Sequence, residues 1–280
     1  GAALDADCQN NTVIGHDAGK AINSGDLNTF VGSVAGAAVT SGSSNTAVGA
    51  FAFDAGTGSS NTALGAGALG DASNSADNNV AIGKDAGNSV TTGVDNTLIG
   101  AFAGDALTTG DRNVAVGLGA LGADDVGERS TAVGYAALNA QNFTTATDSY
   151  NTAVGYQAGV AVSTGTNNTL IGGLAGDALL TGEFNVAVGK DALGSDTDGG
   201  YNVAIGALAL TTQDFTTTTD SYNTAVGGLA GRRITTGRSN TLIGGKAGDH
   251  LTDADFNIAI GIDSLTADTL GSRSIAIGDS

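Results

Sequence analysis

Residues whose side chains could do chemistry are few and scattered in this sequence. His16 and His250 lie far apart, and neither has a metal-ligating residue at a regular spacing. Cys8 is the single cysteine, so no intrachain disulfide can form, and an interchain one is the alternative to an ordinary turn position. No Ser-His-Asp arrangement is recognisable, and the glycines do not open helices as a phosphate-binding loop requires. The sequence therefore predicts that the protein is not an enzyme and needs no cofactor.

Acidic turns leave one metal as an alternative. Asp148, Asp196 and Asp198 place carboxylates in turn sequences, and oxygen-rich loops of this kind suit Ca²⁺. The nonapeptide repeat that forms calcium-binding β-rolls has a different spacing. Calcium therefore stays an alternative to the prediction that no cofactor is bound.

Two nearly identical segments each contain one phenylalanine and one tyrosine. They read QNFTTATDSYN at 141–151 and QDFTTTTDSYN at 213–223. Aromatic tips suit contacts with a sugar or a protein. The candidate receptor-contact residues are Phe143, Tyr150, Phe215 and Tyr222. The alternative is that these rings fold back and seal each segment against the body of the protein.

Threonine pairs suggest ice binding as a further alternative. They occur at 91–92, 108–109 and 235–236. Threonine rows on a flat surface could order water, but these pairs skip many copies of the repeat described below. The pattern therefore gives ice binding little support.

Charge and composition exclude other functions. Ten basic residues face 28 acidic ones, so the net charge is −18, and nucleic acid or an anionic membrane is a poor partner. The small basic cluster of Arg232, Arg233 and Arg238 is expected to be solvated. No run of about 18 apolar residues predicts a membrane span, and no signal peptide is visible at the start. With 46 glycines, no tryptophan and no methionine, the core must be thin and must extend along the chain.

A repeat determines the fold. Sixteen copies of Asn-(Thr/Val)-x-(Val/Ile)-Gly occur, mostly 17 residues apart, and all have glycine at the fifth position. We call each copy a rung and number its positions from the asparagine. Ser130 and Ser274 replace the asparagine in two rungs. The predicted fold is an all-β parallel β-solenoid, or β-roll, of sixteen rungs.

The predicted ladder consists of stacked asparagines at position 1, whose side chains bond to the turns of adjacent rungs. Its members are Asn11, Asn28, Asn45, Asn61, Asn79, Asn96, Asn113, Asn151, Asn168, Asn185, Asn202, Asn223, Asn240 and Asn257. Each rung is expected to contain two short strands and two turns. Positions 2 and 4 share one side of the strand, so the Ala or Leu at position 3 is expected to form a second apolar stripe that faces outward.

A longer period of about 72 residues groups the rungs in fours. The predicted chain is one continuous solenoid over 1–280, with a partial rung at 1–10. Its super-repeats are 11–78, 79–150, 151–222 and 223–280. In the third group, the first two rungs carry Ala-Gly at positions 8 and 9, whereas the last two carry Ala-Leu.

The two ends of the chain carry complementary halves of one rung. Ala3 and Leu4 match positions 8 and 9 of a fourth rung, and the chain stops at position 7 of such a rung, after Ile275 and Ile277. Unpaired strand edges recruit other strands. The sequence therefore predicts either end-to-end stacking of subunits or a segment of a longer array.

The motifs NVAIG at 79–83 and SIAIGDS at 274–280 resemble the head repeats of trimeric autotransporter adhesins. The run NTAVGYQAG at 151–159 is similar to repeats in bacteriophage tail fibres. The resemblance implies a parallel β-roll outside the cell, on a cell surface or on a virion appendage. We expect a structural fibre or surface filament that stacks with itself. The alternative is a trimeric adhesin or tail-fibre head that binds a host-surface glycan or protein.

Overall fold

The protein is an all-β parallel β-solenoid, which confirms the predicted fold class. The computed structural model describes residues 8–54, 56–70 and 75–279. Two compact units are described separately below. Unit 1 comprises Gly1–Tyr135 and Asn142–Asp148, and unit 2 comprises Ala136–Gln141 and Ser149–Ser280.

Unit 1 contains a sheet of three-residue strands, each covering positions 2 to 4 of its rung. The strands pair in parallel with the next rung, and equivalent positions face each other, as in Thr97↔Val114. Their bounds are β1 (Thr12–Ile14), β2 (Thr29–Val31), β3 (Thr46–Val48), β4 (Thr62–Leu64), β5 (Val80–Ile82), β6 (Thr97–Ile99), β7 (Val114–Val116) and β9 (Thr131–Val133). Two shorter strands, β8 (Gly127–Glu128) and β10 (Thr147–Asp148), pair with each other.

Unit 2 repeats this arrangement with the same register. Its sheet contains β11 (Thr152–Val154), β12 (Thr169–Ile171), β13 (Val186–Val188), β15 (Val203–Ile205), β17 (Thr224–Val226), β18 (Thr241–Ile243), β19 (Ile258–Ile260) and β20 (Ile275–Ile277). Two-residue strands β14 (Gly199–Gly200) and β16 (Thr219–Asp220) form a separate pair. One strand of each short pair, β10 or β16, lies in the segment 141–151 or 213–223. These segments follow a fourth rung and lengthen the usual 17-residue spacing to 21, and we call them the first and the second insertion.

The predicted orientation of the strands was wrong. Position 3 faces the core, where Leu170 and Ala187 are fully buried, whereas position 4 faces outward, where Ile171 is 39% exposed. The thin core is filled by position 3 together with the alanine at position 8, such as Ala175. Small residues at position 3 fit between the closely spaced walls of the solenoid. Because side chains alternate along a strand, the apolar stripe on the outside consists of the residues at positions 2 and 4.

The 72-residue period reflects size complementarity in the core. Where Leu170 fills the core from position 3, Gly176 at position 9 of the same rung leaves room for it. A Cβ on Gly176 would lie 2.7 Å from Leu170 Cδ2, and one on Gly159 would lie 2.6 Å from Leu170 Cδ1. Where position 3 is Ala187, position 9 is the fully buried Leu193. In these two rungs, a large residue at one position is therefore paired with a small residue at the other.

The expectation of two strands in every rung was also wrong. After the strand, the chain follows consecutive turns rather than a second extended segment. Positions 7 and 9 adopt left-handed backbone angles, for example φ 61° at Leu208 and 50° at Leu210. Such angles interrupt an extended strand. Position 5 must be glycine because a Cβ on Gly172, whose φ is 135°, would lie 2.6 Å from the carbonyl oxygen of Gly189.

Candidate functional site

The position-1 asparagines form a buried hydrogen-bonded row within each unit. Asn168 Oδ1 accepts the backbone N–H of Asn185 at 3.0 Å, and Asn168 Nδ2 donates to the carbonyl of Gly182 at 2.8 Å. The same acceptance by Oδ1 of the next rung's N–H recurs at each predicted ladder asparagine. These side chains satisfy buried backbone groups at the corner of every rung, so their role is structural.

The aromatic residues of the inserted segments divide into two groups. Phe143 in unit 1 and Phe215 in unit 2 are 6% and 7% exposed, so they pack into the solenoid. Tyr150 and Tyr222 in unit 2 are both 53% exposed. The phenylalanine rings therefore fold back against the solenoid, as the alternative interpretation expected. Of the four candidate residues, only the two tyrosines are exposed enough to contact a receptor.

A buried carboxylate fastens the second insertion. Asp196 Oδ1 accepts the backbone N–H groups of Gly199 and Phe215 at 3.1 and 3.0 Å, and Oδ2 accepts from Gln213 Nε2 at 2.5 Å. Burial raises the pKa of Asp196, and the three hydrogen bonds partly oppose that rise. In unit 1, Asp124 accepts from the N–H of Gly127 in the same way.

The other acidic residues considered for calcium also bond within the protein. Asp198 accepts from Thr181 Oγ1 at 2.5 Å, and Asp148 forms an ion pair with Arg129. No group of three or more His, Cys, Asp or Glu side chains within the described ranges is arranged to hold a metal ion. His250 Nδ1 lies 2.6 Å from the carbonyl oxygen of Thr266, while His16 is exposed and Cys8 is a half-buried thiol.

A row of exposed aromatic rings lies at one corner of unit 2. The residues directly before position 1 of successive rungs stack on one another, and we call this set the corner row. Phe184 and Tyr201 stack at 4.8 Å between centroids, and Tyr201 and Tyr222 stack at 5.1 Å. Tyr222 Oη also donates to Asp220 Oδ2 at 3.2 Å. Sequence reasoning missed Phe184 and Tyr201, although spacings of 17 and 21 residues put them in the same row.

A polar cleft of about 370 Å³ opens beside the second insertion. It is lined by hydroxyl groups, one guanidinium, carboxylates and one ring. The lining residues are Phe215, Thr219, Thr236, Arg238, Asp253 and Asp255. Arg238 of the predicted solvated cluster is thus a wall of this cleft, whereas Arg232 pairs with Asp249 at 3.4 Å.

The outward sheet face of each unit carries no charged side chain at positions 2 and 4. Position 4 is Val, Ile or Leu in every rung, and position 2 is Thr, Val or Ile. Ile205 and Ile243 are 38% and 39% exposed on this face in unit 2. Threonines at position 2, such as Thr152 and Thr169, make no side-chain hydrogen bond to the described part of the chain. The surface is therefore flat, β-branched and open to a partner.

The residues proposed for end-to-end assembly are only partly described. Ala3 and Leu4 lie outside the described residues. Ile275 and Ile277, on β20, are 71% and 73% exposed. Their outward position follows from the same alternation that exposes positions 2 and 4 elsewhere.

Within the described ranges, no helix has the length and apolar character needed to cross a bilayer. No family model, curated protein or solved structure matches this chain.

Proposed function

We propose that this chain is a non-enzymatic structural component of an extracellular fibre, and that copies associate side by side through the outward sheet face. The observation that carries the proposal is the row of outward-facing aliphatic side chains at position 4, which are exposed in half of the rungs and half-buried in the others. Exposed apolar patches above a few hundred Å² mark interaction sites on soluble proteins. Eight rungs about 4.8 Å apart and strands about 10 Å long give each unit a face of roughly 400 Å².

The chemistry of this face favours a second copy of the same chain as its occupant. Each rung presents nearly the same pair of β-branched residues, so two faces can align in register over many rungs. Positions 2 and 4 contain no ionisable side chain, although the whole chain carries a charge of −18. Association through this face therefore removes apolar surface from water without burying a charge.

The alternative is a trimeric adhesin or tail-fibre head on a cell surface or virion. The exposure of Tyr150 and Tyr222 favours it, because aromatic side chains with a polar tip are common at recognition surfaces. A head and a fibre can use the same sheet face. They differ in whether assembly closes at three chains or continues. Stacking through the ends remains a prediction.

Sedimentation tests the proposal on the purified chain. The wild-type chain is expected to sediment as a multiple of its 27.0 kDa mass. Replacing Ile171 and Ile205 with lysine puts two charges on the sheet face and is expected to give monomers. A matched control places lysines at Thr216 and Thr218 of the second insertion and should keep the wild-type mass.

A monomeric wild type at tens of micromolar, or face variants that still assemble, would refute side-by-side association. Negative-stain electron microscopy of the same samples separates the two candidates. Long filaments support the fibre component, and discrete three-chain particles support the adhesin or tail-fibre head.

A further inference from the structure

The cleft beside the second insertion combines donors and acceptors that the protein leaves available. The backbone N–H of Arg238 donates to Asp255 Oδ1 at 2.7 Å, which fixes the turn that presents both side chains. The Arg238 guanidinium forms no ion pair with a carboxylate of the described residues. Asp253 and Thr236 line the same cleft. A bound molecule would therefore meet a guanidinium, a hydroxyl and carboxylates within one small volume.

Tyr222 follows Thr219, which lines this cleft, by three residues. The N–H of Ser239 donates to the carbonyl of Ser221 at 2.8 Å, so Ser239 follows Tyr222 in the corner row. One side of the Tyr222 ring stacks on Tyr201, and the next residue of the corner row beyond Tyr222 is the small Ser239. Arg238, which lines the cleft, directly precedes Ser239, so the cleft extends to the rung on the side of Tyr222 away from Tyr201.

We propose that this surface binds a neutral carbohydrate, with one pyranose ring against Tyr222 and its hydroxyl groups in the cleft. A sugar hydroxyl both donates and accepts, so it suits a wall where Arg238 donates and Asp253 and Asp255 accept. The apolar C–H face of a pyranose suits an exposed tyrosine ring. An acidic sugar fits less well, because two carboxylates line the cleft and the chain carries a charge of −18.

The first insertion provides the matched comparison. Tyr150 is as exposed as Tyr222 and follows the same Asp-Ser pair. The residue in the next rung that corresponds to Arg238 is Thr166, so the guanidinium is absent there. The proposed site therefore belongs to the second insertion.

The test screens the full chain against an array of neutral and acidic oligosaccharides and follows the strongest neutral ligand by calorimetry. Tyr222→Asn and Arg238→Ser are each expected to weaken its binding at least about tenfold, through loss of stacking and of a charged hydrogen bond. Tyr150→Asn should change it by less than about twofold. Both replacements occur naturally in these rows, at Asn167 and Ser272, so the variants should fold.

Three results would overturn the proposal: no neutral oligosaccharide binds, Tyr150→Asn weakens binding as much as Tyr222→Asn, or either site variant retains the wild-type affinity. Sedimentation of the same variants separates this proposal from side-by-side association. The cleft residues lie before position 1 of their rungs, whereas the sheet face consists of positions 2 and 4. The two surfaces share no residue, so either proposal can fail alone.

Discussion

Replacing Leu170 and Gly176, separately and together, tests how the thin core is filled. Leu170 is fully buried, and Leu170→Ala should cost about 2–5 kcal/mol of unfolding free energy through lost burial and a cavity. Gly176→Ala alone should cost about 1–2 kcal/mol for a left-handed alanine. It should cost about 1–3 kcal/mol more for overlap with the leucine.

The double variant should be more stable than the sum of the two losses predicts. The three atoms nearest to a Cβ on Gly176 are Leu170 Cδ2 at 2.7 Å, Leu179 Cδ1 at 3.0 Å and Leu170 Cδ1 at 3.3 Å. Leu170→Ala removes two of these three atoms, so most of the overlap disappears. The cost of a left-handed alanine at position 176 is the same with Leu170 and with Leu170→Ala, so it cancels in the double-mutant cycle. We therefore expect a favourable coupling of about 1–2 kcal/mol, within the range for residues in contact.

Hydrogen exchange of backbone amides is the suitable assay, because repeat arrays need not unfold in one step. The probes are the N–H groups of Thr169 and Gly172, which donate to neighbouring rungs at 2.8 Å. Gly173→Ala is the matched control, since its Cβ would have no atom within 4 Å. Additive losses, or a Gly176→Ala variant no weaker than Gly173→Ala, would refute the size-complementarity argument.

Three further predictions concern the ladder and the second insertion. Asn185→Ala removes the acceptor of the Asn202 N–H and should cost at least about 1–3 kcal/mol, seen as faster exchange at Asn202; unchanged exchange would contradict a structural ladder. Because burial raises the pKa of Asp196, the folded protein binds that proton more tightly than the unfolded chain, so Asp196 lowers stability as pH rises through the raised pKa. Denaturation should therefore show wild type gaining stability relative to Asp196→Asn as pH falls from about 7 to about 4, and a pH-independent difference would contradict this. Phe215→Ala should speed exchange at Thr219, whereas Thr216→Ala should not, since only Phe215 packs into the solenoid.

Several features followed from residue types and spacing alone. The recurring asparagine and fifth-position glycine indicated stacked rungs, because a 17-residue period with β-branched residues and glycine corners suits a parallel solenoid and little else. The same spacing predicted which asparagines would be neighbours. The deficit of basic residues argued against nucleic acid without any structure.

The orientation of the strands could not be read from the sequence. Alternation fixes only that position 3 opposes positions 2 and 4, and apolar residues occur on both sides. The tertiary structure decided that Leu170 lies inside and Ile171 outside, because the closely spaced walls of the solenoid take alanine at position 3 in most rungs and a larger residue, such as Leu170 or Phe30, where position 9 is glycine.

The candidate site depended even more on packing. Phe215 and Tyr222 share one segment, yet one is buried and the other exposed, because Asp196 fastens the phenylalanine end to the turn beneath it. The segment's composition predicted aromatic contacts but not which ring would make them. Phe184, Tyr201 and Tyr222 lie far apart along the chain, and stacking of rungs brings each ring to about 5 Å from the next one in the row. The sequence by itself therefore determined the repeat and its ladder, and only the tertiary structure decided which side chains face solvent, because exposure depends on neighbouring rungs.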